Sequence, residues 1–373
     1  MKILIAPDKF KGTLTALEAA EAMAHGVRDV LPDADIRTQP IADGGEGTLE
    51  AVLAAGGIRQ ETTVRGPLDS MITAPWALLG STAVIETARA SGLEHITPSA
   101  ASAGAAHSYG SGELIRAALD AGATDIVLGV GGSAMTDGGS GALYALGARA
   151  YDDDDAELGL GGLVLSRAAR VDVAGLDPRL AGVTLRIAVD VQNPLHGPEG
   201  AAHVFGEQKG AGAALRTELD AALKNWARVL LDAAGVQVQQ PGAGAAGGFP
   251  AAFLAFADAA LEPGFALVAD LTGLESELAD ADLVITGEGS LDAQSEFGKA
   301  PLGLADVAHQ RGIPVIAVAG RISLTAERLG AHGVVASCAL GEVAPSLEEC
   351  LANAGLYARR AVERALRAHL GDH

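Results

Sequence analysis

The stretch TDIVLGVGGSAMTDGGSGALYALG, residues Thr124 to Gly147, organises the reading of the chain. Ile126, Val127 and Leu128 are an apolar run long enough for one buried parallel strand. Six glycines follow within thirteen positions (Gly129, Gly131, Gly132, Gly138, Gly139 and Gly141), interrupted by Ser133, Thr136 and Asp137. Ala142, Leu143, Leu146 and Ala148 then resume at helical spacing. A strand, a glycine-rich loop and a helix start together make an anion cradle. Glycine lets bare N–H groups approach an oxyanion, and the helix dipole favours its charge. A tight strand-to-helix turn without a ligand would use the same residues.

Working outward, the first sixty residues read as two βα units. Lys2 to Ala6 form a strand stopped by Pro7, and Asp8, Lys9, Phe10, Lys11 and Gly12 make a polar loop. Thr15 and Glu18 have capping-box spacing before a helix faced by Leu17, Ala20, Ala24, Val27 and Leu31. A second strand near Ile36 to Ile41 leads into Ala42-Asp43-Gly44-Gly45-Glu46-Gly47-Thr48 and another helix. In open α/β sheets ligands bind at such carboxyl ends of strands.

From Thr62 the pattern changes to short β-rich runs, Thr62 to Arg65, Ile72 to Leu78 and Thr82 to Glu86, which predict an antiparallel meander. Ala88 to Leu93 reads as a turn or short helix, and Gly112 to Ala121 as a helix feeding the central strand. Leu185 to Asp190 reads as a strand followed by Gln192-Asn193-Pro194-Leu195. Gln208-Lys209-Gly210 precedes a helix over Leu215 to Leu231, and Pro241 to Gly248 (PGAGAAGG) reads as a mobile lid or a second anion loop. A short helix is expected over Phe253 to Leu261. Leu283 to Thr286 is a strand ending in Gly287-Glu288-Gly289-Ser290, with Asp292 beyond it and Gly298-Lys299 opening the next helix. Further strands are expected over Ile313 to Ala319 and Gly333 to Ser337, then a last helix over Leu347 to His369.

The expected fold is α/β with two domains. A discontinuous, three-layer, Rossmann-like α/β domain with a parallel sheet is built from both chain ends, residues 1–62 and 287–373. An inserted mixed α/β domain spans 63–286.

With 373 residues, nearly half of them apolar, the chain can bury a large core, and with only 3% aromatics Ala, Val and Leu must fill it. A net charge of −21 gives no general attraction for nucleic acid or anionic membrane. Cys338 and Cys350 lack metal-site spacing and are expected as free thiols, and the histidines show no ligand spacing. The opening MKILIAPDKFKG has too short an apolar run for a signal peptide, and no run suits a membrane span, so a cytoplasmic protein is expected. Lysine is scarce: of the 26 basic residues only Lys2, Lys9, Lys11, Lys209, Lys224 and Lys299 are lysine. Four of them, Lys9, Lys11, Lys209 and Lys299, sit in polar, glycine-flanked stretches, where a compact point charge suits phosphate.

Gly129 to Ala134 matches G-x-G-x-x-A, and Asp152 follows about twenty residues on, as in a dinucleotide fingerprint. The loop nevertheless runs on through Met135 to Gly139 before a helix starts. There is no G-x-x-x-x-G-K-[ST], which excludes a P-loop NTPase. Several loops instead pair a carboxylate with lysine or glycine: Asp8-Lys9, Asp43-Gly44-Gly45, Asp137-Gly138-Gly139 and Asp292 with Lys299. Phosphoryl transfer needs that mixture, because lysines and backbone N–H groups offset phosphate charge while carboxylates hold Mg²⁺. Each Asp alone would also serve as an N-cap or turn former.

APDKFKGT over Ala6 to Thr13 and ADGGEGT over Ala42 to Thr48 resemble the opening of the bacterial class I glycerate kinase family. The likeness continues through Gly131-Gly132-Ser133-Ala134, Asp137-Gly138-Gly139, Asp190 with Asn193-Pro194-Leu195, Gln208-Lys209-Gly210, PGAGAAGG and Thr286-Gly287-Glu288-Gly289 with Asp292 and Gly298-Lys299. It covers nearly the whole chain. Thr136 departs from it, standing where the family pattern has Asn.

The resemblance implies an ATP- and Mg²⁺-dependent kinase that phosphorylates D-glycerate to 2-phospho-D-glycerate in a cleft between two domains, as a monomer or homodimer. Alternatives are a kinase forming the 3-phospho isomer, an NAD-dependent oxidoreductase using Gly129 to Ala134, and a catalytically silent sensor of sugar acids or phosphate. For the kinase, Asp190 is expected to orient or deprotonate the hydroxyl. Lys9, Lys11, Lys209 and Lys299 would contact nucleotide phosphates or the glycerate carboxylate, and Asp43 and Asp292 would bind metal or substrate. Gly131, Gly132 and Ser133 would give backbone donors to phosphate. Asp8, Gly44, Gly45, Asp137, Asn193, Gly287, Glu288 and Ser290 complete the expected substrate- and nucleotide-binding set.

Overall fold

The computed structural model describes residues 1–296 and 299–371. Gly298, expected to open a helix with Lys299, lies outside them. In chain order the strands are β1 (Lys2–Ile5), β2 (Asp35–Thr38), β3 (Ile58–Arg65), β4 (Met71–Leu79), β5 (Thr82–Glu86), β6 (Asp125–Gly129) and β7 (Arg149–Tyr151). β8 (Arg170–Asp172), β9 (Thr184–Ala188), β10 (Ala260–Glu262), β11 (Leu283–Leu291), β12 (Val315–Ile322) and β13 (Val334–Ala339) follow. The chain forms two compact units: one of Met1–Asp43, Glu50–Gly56 and Pro263–His373, the other of Gly44–Leu49 and Gly57–Glu262.

The first unit carries a five-stranded sheet in the order β13-β12-β11-β1-β2, with every neighbour parallel. Strand alternation divides its core. Ile3 and Ile5 pack in one layer with Met23 and Val27 of helix Ala16–Val30 and with Tyr357 and Ala361 of helix Ala354–Leu370. Leu4 and Val284 pack in the other with Leu304 and Ala308 of helix Ala300–Gln310. Three layers with a parallel sheet drawn from both chain ends are the expected architecture. The first helix starts as its spacing predicts: Glu18 N–H donates to Thr15 Oγ1 at 3.2 Å and Thr15 N–H donates to Glu18 Oε2 at 2.8 Å.

The second unit has a six-stranded sheet in the order β10-β9-β6-β5-β4-β3. β3, β4 and β5 pair antiparallel, as the meander predicts, whereas β5, β6, β9 and β10 run parallel, so the sheet is mixed. Glu86, Gly129 and Ala188 stand side by side at the carboxyl ends of β5, β6 and β9. The core is alanine-rich and anchored by Trp226, Phe249 and Phe253.

Several local expectations change. β11 does not stop at Thr286; it pairs with β12 through Ser290 and Leu291. Gly287 permits this, because a Cβ there would stand 1.8 Å from the carbonyl oxygen of Val318. The whole strand therefore belongs to the sheet of the chain ends, and the second junction falls at Pro263 where residue 287 was expected. The first falls at Gly57, with residues Gly44–Leu49 also grouped in the second unit. The PGAGAAGG stretch is buried from Gly242 onward, and its amides at Ala243, Gly244 and Ala245 donate to Gln240, Asn193 and Gly242 carbonyls. It is packed core rather than a lid. Left-handed backbone at Ala246, Gly247 and Gly248 breaks the segment Ala245–Phe256, so its regular helix begins just after the PGAGAAGG stretch, still earlier than expected, and β10 takes the residues assigned to the end of that helix. The C-terminal helix is two helices, Leu347–Ala352 and Ala354–Leu370, separated at Asn353.

Candidate functional site

In the first unit the chain beyond β1 stays in register with its neighbours. Ala6 N–H donates to Ile285 O, Asp8 N–H to Gly287 O and Ile41 N–H to Pro7 O, all within 3.0 Å. Those bonds carry Asp8, Asp43 and Glu288 to one edge of the parallel sheet. Asp8 is only 5% exposed. Its Oδ1 accepts the Lys9 N–H at 2.6 Å and stands 3.9 Å from Lys9 Nζ. Burial pushes the Asp8 carboxyl up to about 7; the Lys9 charge opposes the shift, and Asp43 and Glu288 add to it.

Glu288 is likewise pushed up, chiefly by burial, with Asp43 adding to it. Ser295 Oγ donates to its Oε1 at 2.7 Å and Lys299 Nζ to its Oε2 at 3.5 Å, both of which favour the ionised form. Asp292 is set differently. Its Oδ1 accepts the Gln294 N–H at 2.9 Å and its Oδ2 the Ser290 hydroxyl at 3.1 Å; these bonds, with Lys299 and Arg321 nearby, hold it below the usual carboxylate range. Lys11 is exposed on the loop beyond Phe10. Thus Asp8, Lys9, Asp43, Glu288 and Lys299 form one electrostatic group, with Ser290, Asp292 and Ser295 in the turn beside it.

Among the described residues no cluster of three or more His, Cys, Asp and Glu is arranged as a metal site. Mg²⁺ does not require one, since it commonly binds through one or two carboxylates and completes its shell with water and phosphate. The crowding of Asp8, Asp43 and Glu288 is the kind of environment that a divalent cation would relieve.

In the second unit the parallel strands bring Glu86, the Gly129 to Asp137 loop and Asp190 to one sheet edge. Asp190 is exposed, two residues past β9, and Asn193 Nδ2 donates to Glu199 O at 2.8 Å. Gly131 and Gly132 are exposed, and a Cβ on Gly131 would lie 3.1 Å from the Gly45 Cα, so the 44–45 and 131–132 backbones meet closely. The glycine loop does not open a helix as a dinucleotide fingerprint does. Ser133 instead bridges to Gly92, and the helix starts only at Ser140. Asp152 accepts the Asp154 and Ala156 amides of its own turn.

Two expected ligand residues face inward. Asp137 is fully buried and accepts the Ser108 N–H and hydroxyl, each at 2.8 Å, the Gly141 N–H at 3.1 Å and the Gly139 N–H at 3.2 Å. It accepts amides at the starts of helices Tyr109–Asp120 and Ser140–Ala145, whose N-cap residues are Ser108 and Gly139, and so ties the two helix starts together. Lys209 is 1% exposed; its Nζ donates to Met135 O at 2.5 Å and Ser133 Oγ at 3.2 Å. The expected phosphate contact gives way to an internal tie across the glycine loop. Burial pushes this ammonium down to about 7, against the attraction of Asp137.

Glu86 had no assigned role in the sequence. It is 3% exposed; its Oε1 accepts the Gly47 and Leu49 amides, each at 2.9 Å, and its Oε2 the Arg89 Nε–H at 2.8 Å. An acid closing a strand, three residues before an arginine and followed by a small-residue turn, was the available signal.

The glycerate kinase family model matches residues 3–370. The chain is 46% identical over 338 residues to the glycerate 2-kinase of Escherichia coli strain K12, covering 90% of this chain and 89% of that protein. It is 45% identical over 364 residues to the glycerate kinase of Bacillus subtilis strain 168, covering 96% and 95%. The solved structure of a candidate glycerate kinase 2 from Salmonella typhimurium LT2 superimposes with a TM-score of 0.86 at 43% identity, covering 100% of this chain and 99% of that one. With these matches spanning both units, the chain belongs to the glycerate kinase family.

Proposed function

We propose that the protein transfers the γ-phosphoryl group of ATP to D-glycerate, giving 2-phospho-D-glycerate. The observation that carries the reading is the group of Asp8, Asp43 and Glu288 with Lys9 and Lys299 at the carboxyl edge of a parallel sheet. Phosphoryl transfer demands cations for the phosphates and carboxylates for a metal ion, held before the reaction begins. Lys9, Lys11 and Lys299 supply positive charge to phosphate or to the acid substrate. Asp43 and Asp292 are the residues that would hold Mg²⁺, with Asp8 and Glu288 close to Asp43. When bound there, Mg²⁺ supplies charge that offsets the charge on the phosphates.

In the second unit, exposed amides of Gly131 and Gly132 suit a phosphate oxygen. Asp190, at the same sheet edge, orients the attacking hydroxyl or accepts its proton. Among the described residues no helix is long and apolar enough to cross a membrane.

The test is incubation with ATP, Mg²⁺ and D-glycerate, with the product identified by phosphorus NMR. The expected product is the 2-phosphate. Formation of the 3-phosphate would overturn the regiochemistry, and no ADP release with D-glycerate would overturn the activity. Oxidation of D-glycerate with NAD⁺ in place of phosphorylation would return the glycine loop to a nicotinamide reading.

A further inference from the structure

β3 is an end strand of the six-stranded sheet and pairs with β4 on its inner side. Gly66 N–H donates to Ser70 O at 2.6 Å and continues that ladder, while Arg65 N–H turns the other way, to Glu113 Oε2 at 2.7 Å. Strand alternation then aims the main-chain groups of Arg59, Glu61 and Thr63 away from β4, and all three residues are exposed. Helix Tyr109–Asp120 covers the Arg65 end, where a Cβ on Gly110 would stand 1.9 Å from Arg65 O. The open edge therefore runs from Ile58 to Thr63. Ile58 at its start is 65% exposed, an apolar side chain left in water.

We propose that a second copy of this chain docks on that edge, β3 against β3, antiparallel about a two-fold axis at Gln60. Arg59 and Glu61 lie on one face of the strand, each about half exposed, and their own 3.2 Å ion pair is a surface contact of little worth. In the proposed register Arg59 stands opposite Glu61 of the second copy and Glu61 opposite its Arg59. Both charge pairs form together, and the paired residues exchange main-chain hydrogen bonds. Gln60 meets the Gln60 of the second copy, and Ile58 is covered beside its Thr62. Sliding the partner by two residues either way sets Arg59 against Arg59 or Glu61 against Glu61. Charges commonly guard an edge strand against pairing. Here the alternating signs guard the neighbouring registers and leave one complementary. That register also ends with Thr63 opposite Gly57, short of the covered Arg65 end. The contact is self-complementary, so it closes at two copies.

The experiment is sedimentation equilibrium of the full chain, carried to concentrations on the order of 100 μM because a strand pair buries little apolar area. Wild type is expected to dimerise. Arg59→Glu and Glu61→Arg each set like charges opposite one another in both places and are expected to weaken the dimer about tenfold or more. Both changes in one chain restore the two attractions and are expected to recover the wild-type constant within about threefold. Mixing the two single variants is expected to give a heterodimer, since the acids of one then face the arginines of the other. Should a charge reversal fail to fold, Thr63→Pro decides: it removes an outward N–H, leaves the β4 ladder intact and is expected to weaken the dimer about tenfold. A wild-type chain that stays monomeric throughout would overturn the proposal. So would single variants that associate as wild type does, or a mixture no more associated than its parts. The measurement uses no substrate, so its outcome is independent of the reaction.

Discussion

At the carboxyl edge of the five-stranded sheet, Asp8 is a buried acid pushed up to about 7; beside the loop after β6, Lys209 is a buried base pushed down to about 7. Desolvation causes both shifts, but the surroundings differ. Asp8 shares its edge with Asp43 and Glu288, which add to the cost of ionising it, while the Lys9 charge opposes that cost. Lys209 meets a carbonyl and a hydroxyl, with Asp137 attracting it. The first unit crowds carboxylates at one sheet edge; the second uses a buried ammonium to hold a loop. Ionic side chains read from similar glycine-flanked motifs are therefore placed differently: Asp8 lies among other carboxylates at a sheet edge, and Lys209 is spent on a backbone carbonyl and a hydroxyl.

The pH dependence of stability can break this contrast. Lys209 has a folded pKa below its ordinary 10.5, so between about pH 7 and 10.5 the unfolded chain holds more protons. Stability of the second unit should rise across that window, by up to ~5 kcal/mol, so that the gain is lost as pH falls from about 10.5 to 7 and this group adds no further change below 7. Lys209→Met should flatten the rise in thermal melts, and an unchanged slope would mean that the ammonium is not desolvated. Asp8 has the opposite sign. Its folded pKa lies above 3.8, so the first unit should lose up to ~4 kcal/mol as pH rises from about 4 to 7. Asp8→Asn should remove that loss, and millimolar Mg²⁺ should reduce it in the wild-type protein.

Kinetics sharpen the same comparison. Asp190→Asn should lower kcat about 10²-fold with little change in ATP or glycerate binding, the size expected for a lost general base. Near-normal turnover would move the base elsewhere. Lys9→Ala and Lys299→Ala should each raise a Michaelis constant about tenfold, the value of one charge-assisted contact. If both left the constants for ATP and glycerate unchanged, the clamp at the first sheet edge would be ruled out.

Much of the fold was legible because it is written locally. The Thr15 and Glu18 capping box, the apolar run at Ile126 to Leu128 and the change to β-rich segments near residue 60 each report on neighbouring residues. β11 was cut short because Gly287, Glu288 and Gly289 have the composition of a loop; only the approach of the Val318 carbonyl shows why glycine extends the strand there. The same limit governs the site. That carboxylates and lysines end strands could be read, and Asp8, Lys9, Asp43, Glu288 and Lys299 do gather. Whether an ionic side chain turns outward could not, since Lys209 and Asp137 are fixed by Ser133, Met135 and Ser108, far from them or hidden in a turn. Glu86 escaped notice because its partners Gly47 and Leu49 lie in a different βα unit.

The interior position of β1, between β2 and β11, has a consequence for synthesis on the ribosome. Ile5 lies opposite Ile285, and β11, β12 and β13 complete the sheet to that side. β1 must remain without β11 until the whole stretch between them, Gly57 to Glu262 included, has been translated. The segment from Gly57 to Glu262 has its own sheet and core and can fold meanwhile. Although β2 can pair on its other side, the edge of β1 that receives β11 then stays open to holdase chaperones and to aggregation during translation.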